Sequence, residues 1–255
     1  MVNQSDLDRA LAAAGLDAPT RYDEVTSSTN ATALELAASG APEWTLVAAG
    51  HQEGGRGRLG RSWVDRPGQA LMFSFVLRPE IAAPAGGLLP LLAGAAMATA
   101  AGDVAGVGVR CKWPNDLQLG ERKVGGILAE SSVVGGRLRH VVVGIGVNLE
   151  PPPGIPEAAG LGPVDAGAML EAFLRSFRAA YHPAAATFPA EVRRAWTDRS
   201  ATVGRTVVVT HADGATTRGV AVGVDDTGGL IVQRAGGEVV VSSGDVAHVE
   251  QQPPA

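Results

Sequence analysis

GGRGRLGRSWVDRPGQ, residues Gly54 to Gln69, contains Gly55-x-Gly57-x-x-Gly60, the spacing of a dinucleotide-binding turn, and Glu80 stands about twenty residues on, where such a fold places a ribose-binding acid. That fold needs a helix opening directly on the glycines, so that a pyrophosphate meets its free amides. Ser62 to Gln69 is too short for one, has no apolar periodicity, and carries Pro67 and Gly68. A doubly wound parallel sheet is thereby excluded. No Gly-Lys-Ser or Gly-Lys-Thr tripeptide occurs, which excludes a Walker-type phosphate loop as well. What remains is a flexible loop carrying Arg56, Arg58 and Arg61. Its glycines admit close backbone approach, and its guanidinium groups donate paired hydrogen bonds to phosphate or carboxylate oxygens. An arginine cluster taken alone is more often a solvated turn, so its neighbours must decide.

Upstream of the loop, Ser5 caps a predicted helix over Asp6 to Ala14, in which Leu7, Ala10 and Leu11 recur at helical spacing. Tyr22 to Val25 reads as a short strand. Ser27-Ser28-Thr29-Asn30 reads as a polar turn capping a helix from Ala31 to Ala38, and Trp44 to Ala49 as the next strand. Downstream, Ala70 to Leu77 and Gly106 to Lys112 are predicted strands separated by an Ala/Leu-rich helix over Gly87 to Ala101. Asp116 to Leu119, Gly125 to Val134 and Leu138 to Leu149, joined at Gly120 and Gly135-Gly136, read as an antiparallel meander. The prolines of Pro151 to Pro163 point to an exposed connection. Helices are predicted over Asp165 to Tyr181 and Ala190 to Asp198. From Thr202 the chain turns to Val/Thr strands cut by Asp213-Gly214, Gly228-Gly229 and Gly236-Gly237. The expectation is an α+β chain: a mixed, largely antiparallel sheet with helices over residues 1–200, then a small all-β barrel over 201–255 ending in a short disordered tail.

The 255 residues, 45% of them hydrophobic, suffice for a buried core without staples. The richest apolar run, Leu88 to Ala101, is short for a membrane span and interrupted by Gly94. Asp6 and Asp8 near the start lack the pattern of a signal peptide, so a cytoplasmic chain is expected. The single Cys111 sits in an apolar run and reads as core. A net charge of −5 argues against general nucleic-acid binding, so any anion site must be local.

Three further motifs stand out. Lys112-Trp113-Pro114-Asn115-Asp116 places a cation, an amide and a carboxylate in a proline turn between strands, where they would emerge at one sheet edge; the plain alternative is a hairpin with incidental charges. Lys123 opens Val124-Gly125-Gly126-Ile127-Leu128, whose glycines let a ligand lie against the backbone. Gly144-Ile145-Gly146-Val147-Asn148 ends an apolar strand, and its glycines read at least as readily as a bulge.

In order and spacing, Ser28-Thr29-Asn30, Gln52 with GGRGRLGR, KWPNDL, Lys123 with GGIL, and GIGVN resemble the biotin protein ligase family over most of the chain. Glu53 and Gly54 depart from the family pattern before the Gly-Arg-Gly-Arg run. The family's winged helix-turn-helix repressor domain is expected to be missing, since about twenty residues precede the first core strand. The resemblance implies activation of biotin by ATP to biotinyl-5'-adenylate and transfer to a lysine of a biotin carboxyl carrier protein, by a monomer or homodimer with no nucleic-acid or membrane partner. It implies that Ser28, Thr29, Asn30 and Gln52 hold the ureido head, that Gly55, Gly125 and Gly126 pass along the biotin, and that Arg56, Arg58, Arg61 and Trp63 close over the phosphates and the carboxylate. Lys112, Asn115, Asp116 and Asn148 would serve ATP, with Asp116 a magnesium ligand. Lys123, Arg58 and Asp116 would be catalytic, with Lys123 touching both the carboxylate and the α-phosphate. The rival readings are a lipoate or octanoate ligase and a non-catalytic biotin-sensing regulator.

Overall fold

The computed structural model describes residues 1–248; the tail expected to be disordered lies outside the described residues. The chain opens on α1 (Gln4–Ala13), which Asn3 caps rather than Ser5. The Asn3 side chain accepts from the Asp6 amide and the Asp6 carboxylate accepts from the Asn3 amide. Both residue types favour caps and each has an acid three positions on, but Asp6 turns back to the Asn3 amide, whereas Asp8 accepts from the Gln4 and Thr20 side chains instead.

β1 (Thr20–Thr26), α2 (Thr29–Ala38), β2 (Leu46–Gln52), β3 (Ala70–Leu77), α3 (Leu88–Ala105), β4 (Val109–Lys112), β5 (Asp116–Leu119), β6 (Arg122–Val134) and β7 (Arg137–Asn148) follow. The seven strands form one sheet in the order β1-β2-β3-β7-β6-β5-β4. Only β1 and β2 run parallel; the other pairs are antiparallel. The mixed, largely antiparallel sheet is the predicted one. Its central strands read as continuous apolar runs because both faces are covered. Leu46 and Ala48, Phe75 and Leu77, and Val141 and Val143 enter the main core, while Val47, Val76 and Val142 point the other way onto Ala33 and Ala37 of α2.

α3 and α4 (Ala166–Ala180) cover the main-core face, followed by α5 (Phe188–Thr197). Phe73 and Phe75 meet Phe173 and Phe177 edge-on, with ring centroids 5.0 Å apart for Phe75 and Phe177. α3 runs past the expected end at Ala101 to Ala105, where Gly106 takes the left-handed conformation, and β4 begins only at Val109. Ala83–Ala105 thereby reaches the length and apolar composition of a membrane span, but 67% of its apolar 18-residue window is buried inside the molecule, as in a core helix. Cys111 faces it, and burial pushes its thiol up to about 12.

The chain passes at Ser200–Thr202 into a five-stranded antiparallel sheet made of β8 (Thr206–Thr210), β9 (Thr216–Val224), β10 (Leu230–Arg234), β11 (Gly237–Val241) and β12 (Asp245–His248), in the order β11-β10-β9-β8-β12. Trp113 keys the two sheets together. Its backbone N–H donates to Thr202 Oγ1 at 3.0 Å and its indole N–H to the Gly228 carbonyl at 2.9 Å.

The proline-rich connection is not uniformly exposed. Ala158, Ala159 and Leu161 are buried. Ala158 lies beside Lys123 in a parallel bridge, taking the place β7 leaves vacant beyond Asn148. The prolines exclude regular strand, but a single bridge with bonds from the Lys123 and Ala159 amides needs no proline N–H.

Candidate active site

A cleft opens over the sheet where the start of α2, the end of β2, the arginine loop, the 113–116 turn and the middle of β6 and β7 converge. Ser28, Thr29, Asn30, Gln52, Arg56, Arg58, Arg61, Trp63, Asn115, Asp116, Lys123 and Gly126 all line it. At one end the groups are neutral. Thr29 and Asn30 belong to α2 itself, not to the turn before it, and Ser28 at the cap position makes no capping bond. Gln52 does that work from the neighbouring strand: its Oε1 accepts from the Thr29 amide at 2.7 Å and from Thr29 Oγ1 at 3.2 Å. Ser74 Oγ donates across β3 toward Asn30 Oδ1 at 2.6 Å, and Asn30 Nδ2 donates to the Leu128 carbonyl at 3.1 Å and to Glu130 Oε2 at 2.9 Å. Asn30 thus spends both amide hydrogens inside the protein and fixes the helix start against the sheet.

That fixation needs the glycines of β7. A Cβ on Gly144 would stand 1.9 Å from Asn30 Oδ1, and one on Gly146 would stand 2.8 Å from the Trp63 ring. The pairing of β7 with β3 and β6 runs without register shift through Gly144–Gly146, so these are close-approach glycines and not the bulge that the sequence also allowed.

The other end is charged. Lys123 Nζ lies 2.6 Å from Asp116 Oδ1, the two brought together by β5–β6 pairing. Arg58 Nη1 reaches Asn115 Oδ1 at 3.4 Å, and Asn115 Nδ2 donates to the Ile127 carbonyl at 3.0 Å. Burial lowers the Arg58 guanidinium pKa, with Arg61 adding to the effect and Asp245 and Asp116 opposing it. Arg56 reaches back toward the Asn30 end, pairing at 3.0 Å with the Glu130 oxygen that Asn30 also bonds, and Arg61 pairs with Asp245 of β12. His51 Nδ1 meets Asp65, whose side chain is fully buried, at 2.8 Å, joining the end of β2 to the stretch just past Trp63.

Four expected site residues lie outside the cleft wall. Gly125 and Gly126 alternate, so Gly125 faces away: a Cβ there would meet the Gly146 carbonyl at 2.7 Å. Gly55 is packed under Trp63, its carbonyl accepting the Trp63 amide at 2.9 Å. Lys112 pairs with Asp116 in register, but its charge falls on His248 and Glu121, toward the small sheet. Asn148 is buried and donates to the Ala159 carbonyl at 3.1 Å, anchoring the segment that borders Lys123.

Residues 22–148 match the biotin/lipoate A/B protein ligase family, and residues 202–249 match the biotin protein ligase C-terminal domain. A biotin–[acetyl-CoA-carboxylase] ligase of Paracoccus denitrificans is 36% identical over 239 residues, covering 87% of this chain and 97% of that protein. The chain belongs to the biotin protein ligase family. A bifunctional ligase/repressor BirA of Bacillus subtilis is 32% identical over 237 residues, covering 88% of this chain and 72% of that one. Among solved structures, the biotin protein ligase from Aquifex aeolicus in complex with biotin and ATP overlays with a TM-score of 0.71 at 25% identity, covering 91% of this chain and 99% of that chain.

Sequence reading of this family member missed Ser74, Glu130 and Asp245. Ser74 did leave a trace, as the lone hydroxyl in the otherwise apolar strand ALMFSFVL. Glu130 and Asp245 left none, because each becomes a site residue only through pairing with an arginine 74 or 184 positions away in the chain.

Proposed function

We propose that this chain is an ATP-dependent biotin protein ligase, forming biotinyl-5'-adenylate and transferring the acyl group to a lysine of a biotin carboxyl carrier protein. The observation that carries this reading is one cleft in which an uncharged hydrogen-bonding end, at Ser28, Thr29 and Gln52, adjoins a cationic end, at Lys123 and Arg58. Biotin has that polarity: a neutral ureido head, an apolar ring and chain, and a carboxylate. The relatives named as biotin ligases support the same substrate.

In the first step a carboxylate oxygen attacks the α-phosphorus, forming the acyl–phosphate bond as the bond to pyrophosphate breaks. Two anions must approach, so fixed positive charge lowers the barrier. The Lys123 ammonium has three hydrogens; Asp116 takes one and orients the group, leaving two for the carboxylate and the α-phosphate. Arg58 offers its guanidinium from the loop side. Among the described residues no three His, Cys, Asp or Glu side chains form a metal cage. Asp116 beside a triphosphate nevertheless suits magnesium, which commonly combines one or two carboxylates with phosphate oxygens and water. Bound there, the ion would neutralise phosphate charge. The anhydride is open to hydrolysis, so the loop with Trp63 over Gly146 serves to exclude water. In the second step a neutral acceptor amine attacks the acyl carbon, AMP leaves, and the amine loses a proton, which we assign to the Asp116 oxygen not held by Lys123.

We further assign residues 1–200 to a catalytic domain and 201–255 to a C-terminal domain, and place the enzyme in the cytoplasm. The test is direct: incubate the protein with ATP, magnesium, biotin and a carrier domain, and weigh the carrier. Gain of one biotinyl group supports the proposal. A carrier unchanged with biotin but modified when lipoate or octanoate replaces it would assign the rival ligase activity.

A further inference from the structure

The arginine loop is held over the cleft from two sides. On one side Arg56 donates to Glu130 Oε2 on β6 at 3.0 Å, and that same oxygen accepts from the buried Asn30 at 2.9 Å. On the other side Arg61 pairs with Asp245, the first residue of β12, whose position is set by pairing with Thr210 of β8. Arg58, between them, has no carboxylate partner among the described residues; its one side-chain bond is the 3.4 Å contact to Asn115. Each sheet therefore supplies one acid to the loop; the two acids pair directly with the outer arginines, and Asp245 reaches the middle one only through its field.

We propose that Glu130 and Asp245 are positioning residues that latch the arginine loop shut, leaving Arg58 as the guanidinium presented to the anionic substrates, and that the two latches set how long the acyl-adenylate stays enclosed. This rests on the reading of the cleft as an adenylation site. The side chains of Arg56, Arg61 and Asp245 are more than a third exposed, so these are not the buried pairs that would lock a loop permanently. Exposed pairs of this kind each shift an equilibrium about twofold to fivefold, which lets the loop open for entry and exit. Acting at opposite ends, their effects should multiply.

Glu130→Gln keeps an acceptor for Asn30 while removing the charge that holds Arg56, and Asp245→Asn removes the charge that holds Arg61. In the substrate-free protein, amide exchange of residues 54–63 should quicken about twofold to fivefold in each variant and by the product in the double variant, with the melting temperature unchanged. With biotin and ATP present, adenylate escape, read as labelling of bystander lysines relative to biotin-dependent pyrophosphate exchange, should rise by the same factors. Asp245→Glu, which keeps the charge, should restore the slow behaviour. At about 1 M salt, where the screening length is about 3 Å, the unmodified loop should exchange like that of the double variant. Unchanged loop exchange in the double variant overturns the latch. Faster loop exchange with unchanged escape overturns its link to retention. An unmodified protein that exchanges no pyrophosphate refutes the adenylation reading, whereas the latch is still decided by the loop's amide exchange.

Discussion

Lys123 concentrates the chemistry of the cleft in one ammonium, placed by β5–β6 pairing and held at 2.6 Å by Asp116. Replacing it by Ala should abolish biotin-dependent pyrophosphate exchange while the circular dichroism spectrum and melting temperature stay as they were, because the side chain is 43% exposed and fills no core. Near-normal exchange would remove Lys123 from the mechanism. Gly144 behaves in the opposite way. Its Cβ position is occupied by the Asn30 amide, so Gly144→Ala should cost about 1–3 kcal/mol of stability and raise the KM for biotin, as the start of α2 is pushed off the sheet. Denaturant unfolding with biotin kinetics checks this. At this scale local chemistry marked residues that do line the cleft: Asn115 and Asp116 in the proline turn, Arg56, Arg58 and Arg61 in the loop, and Lys123, all unusual residue types at fixed spacing. Gly55, Lys112, Gly125 and Asn148 stand outside the cleft wall, because packing under Trp63, the field of the small sheet, strand alternation and a contact with Ala159 decide which way those residues face.

The elements owe their ends to partners that differ in sequence distance. α1 is closed by a local capping box, and Asn3→Ala should cost about 1 kcal/mol, measurable as a lowered urea midpoint with no change in ligase activity. α2 is closed by Gln52, 23 positions from Thr29, so Gln52→Ala should weaken both the helix start and biotin binding, whereas Ser28→Ala should leave stability within about 0.5 kcal/mol of the parent. Comparing the two variants by thermal unfolding separates distant capping from local capping. The same contrast explains the sequence reading. Strands β3 and β5 were delimited to the residue because proline, glycine and charge bracket their apolar runs. The Ser27–Asn30 stretch was read as a turn because a cap supplied from another strand leaves no mark beside the helix.

A pH-sensitive group, His248, lies where the small sheet meets the large one. Burial, followed by the charges of Lys112 and Arg205, lowers the His248 pKa to about 4, and Arg205 Nη1 donates to its Nδ1 at 3.2 Å, a contact that requires the neutral ring. The unfolded chain takes up that proton near pH 6.5, so this contribution to stability is intact above about 6.5 and is lost as the pH falls toward 4. His140, lowered first by burial and then by Arg78 and Arg139, acts with the same sign. The melting temperature should therefore drop between pH 6.5 and 4, and His248→Asn should flatten part of that drop; an identical slope in the variant would place the sensitivity elsewhere. What the amino-acid order determined by itself was the class of fold and the chemical vocabulary of the site. Hydrophobic period, breakers and rare motifs are local properties, and each acts over a few residues. What only the tertiary structure decided was which of those residues share a cleft, which acids hold the arginines, and that β12 of the small sheet reaches the loop at all, because the pairing of charges 74 and 184 positions apart depends on how the sheets are laid together.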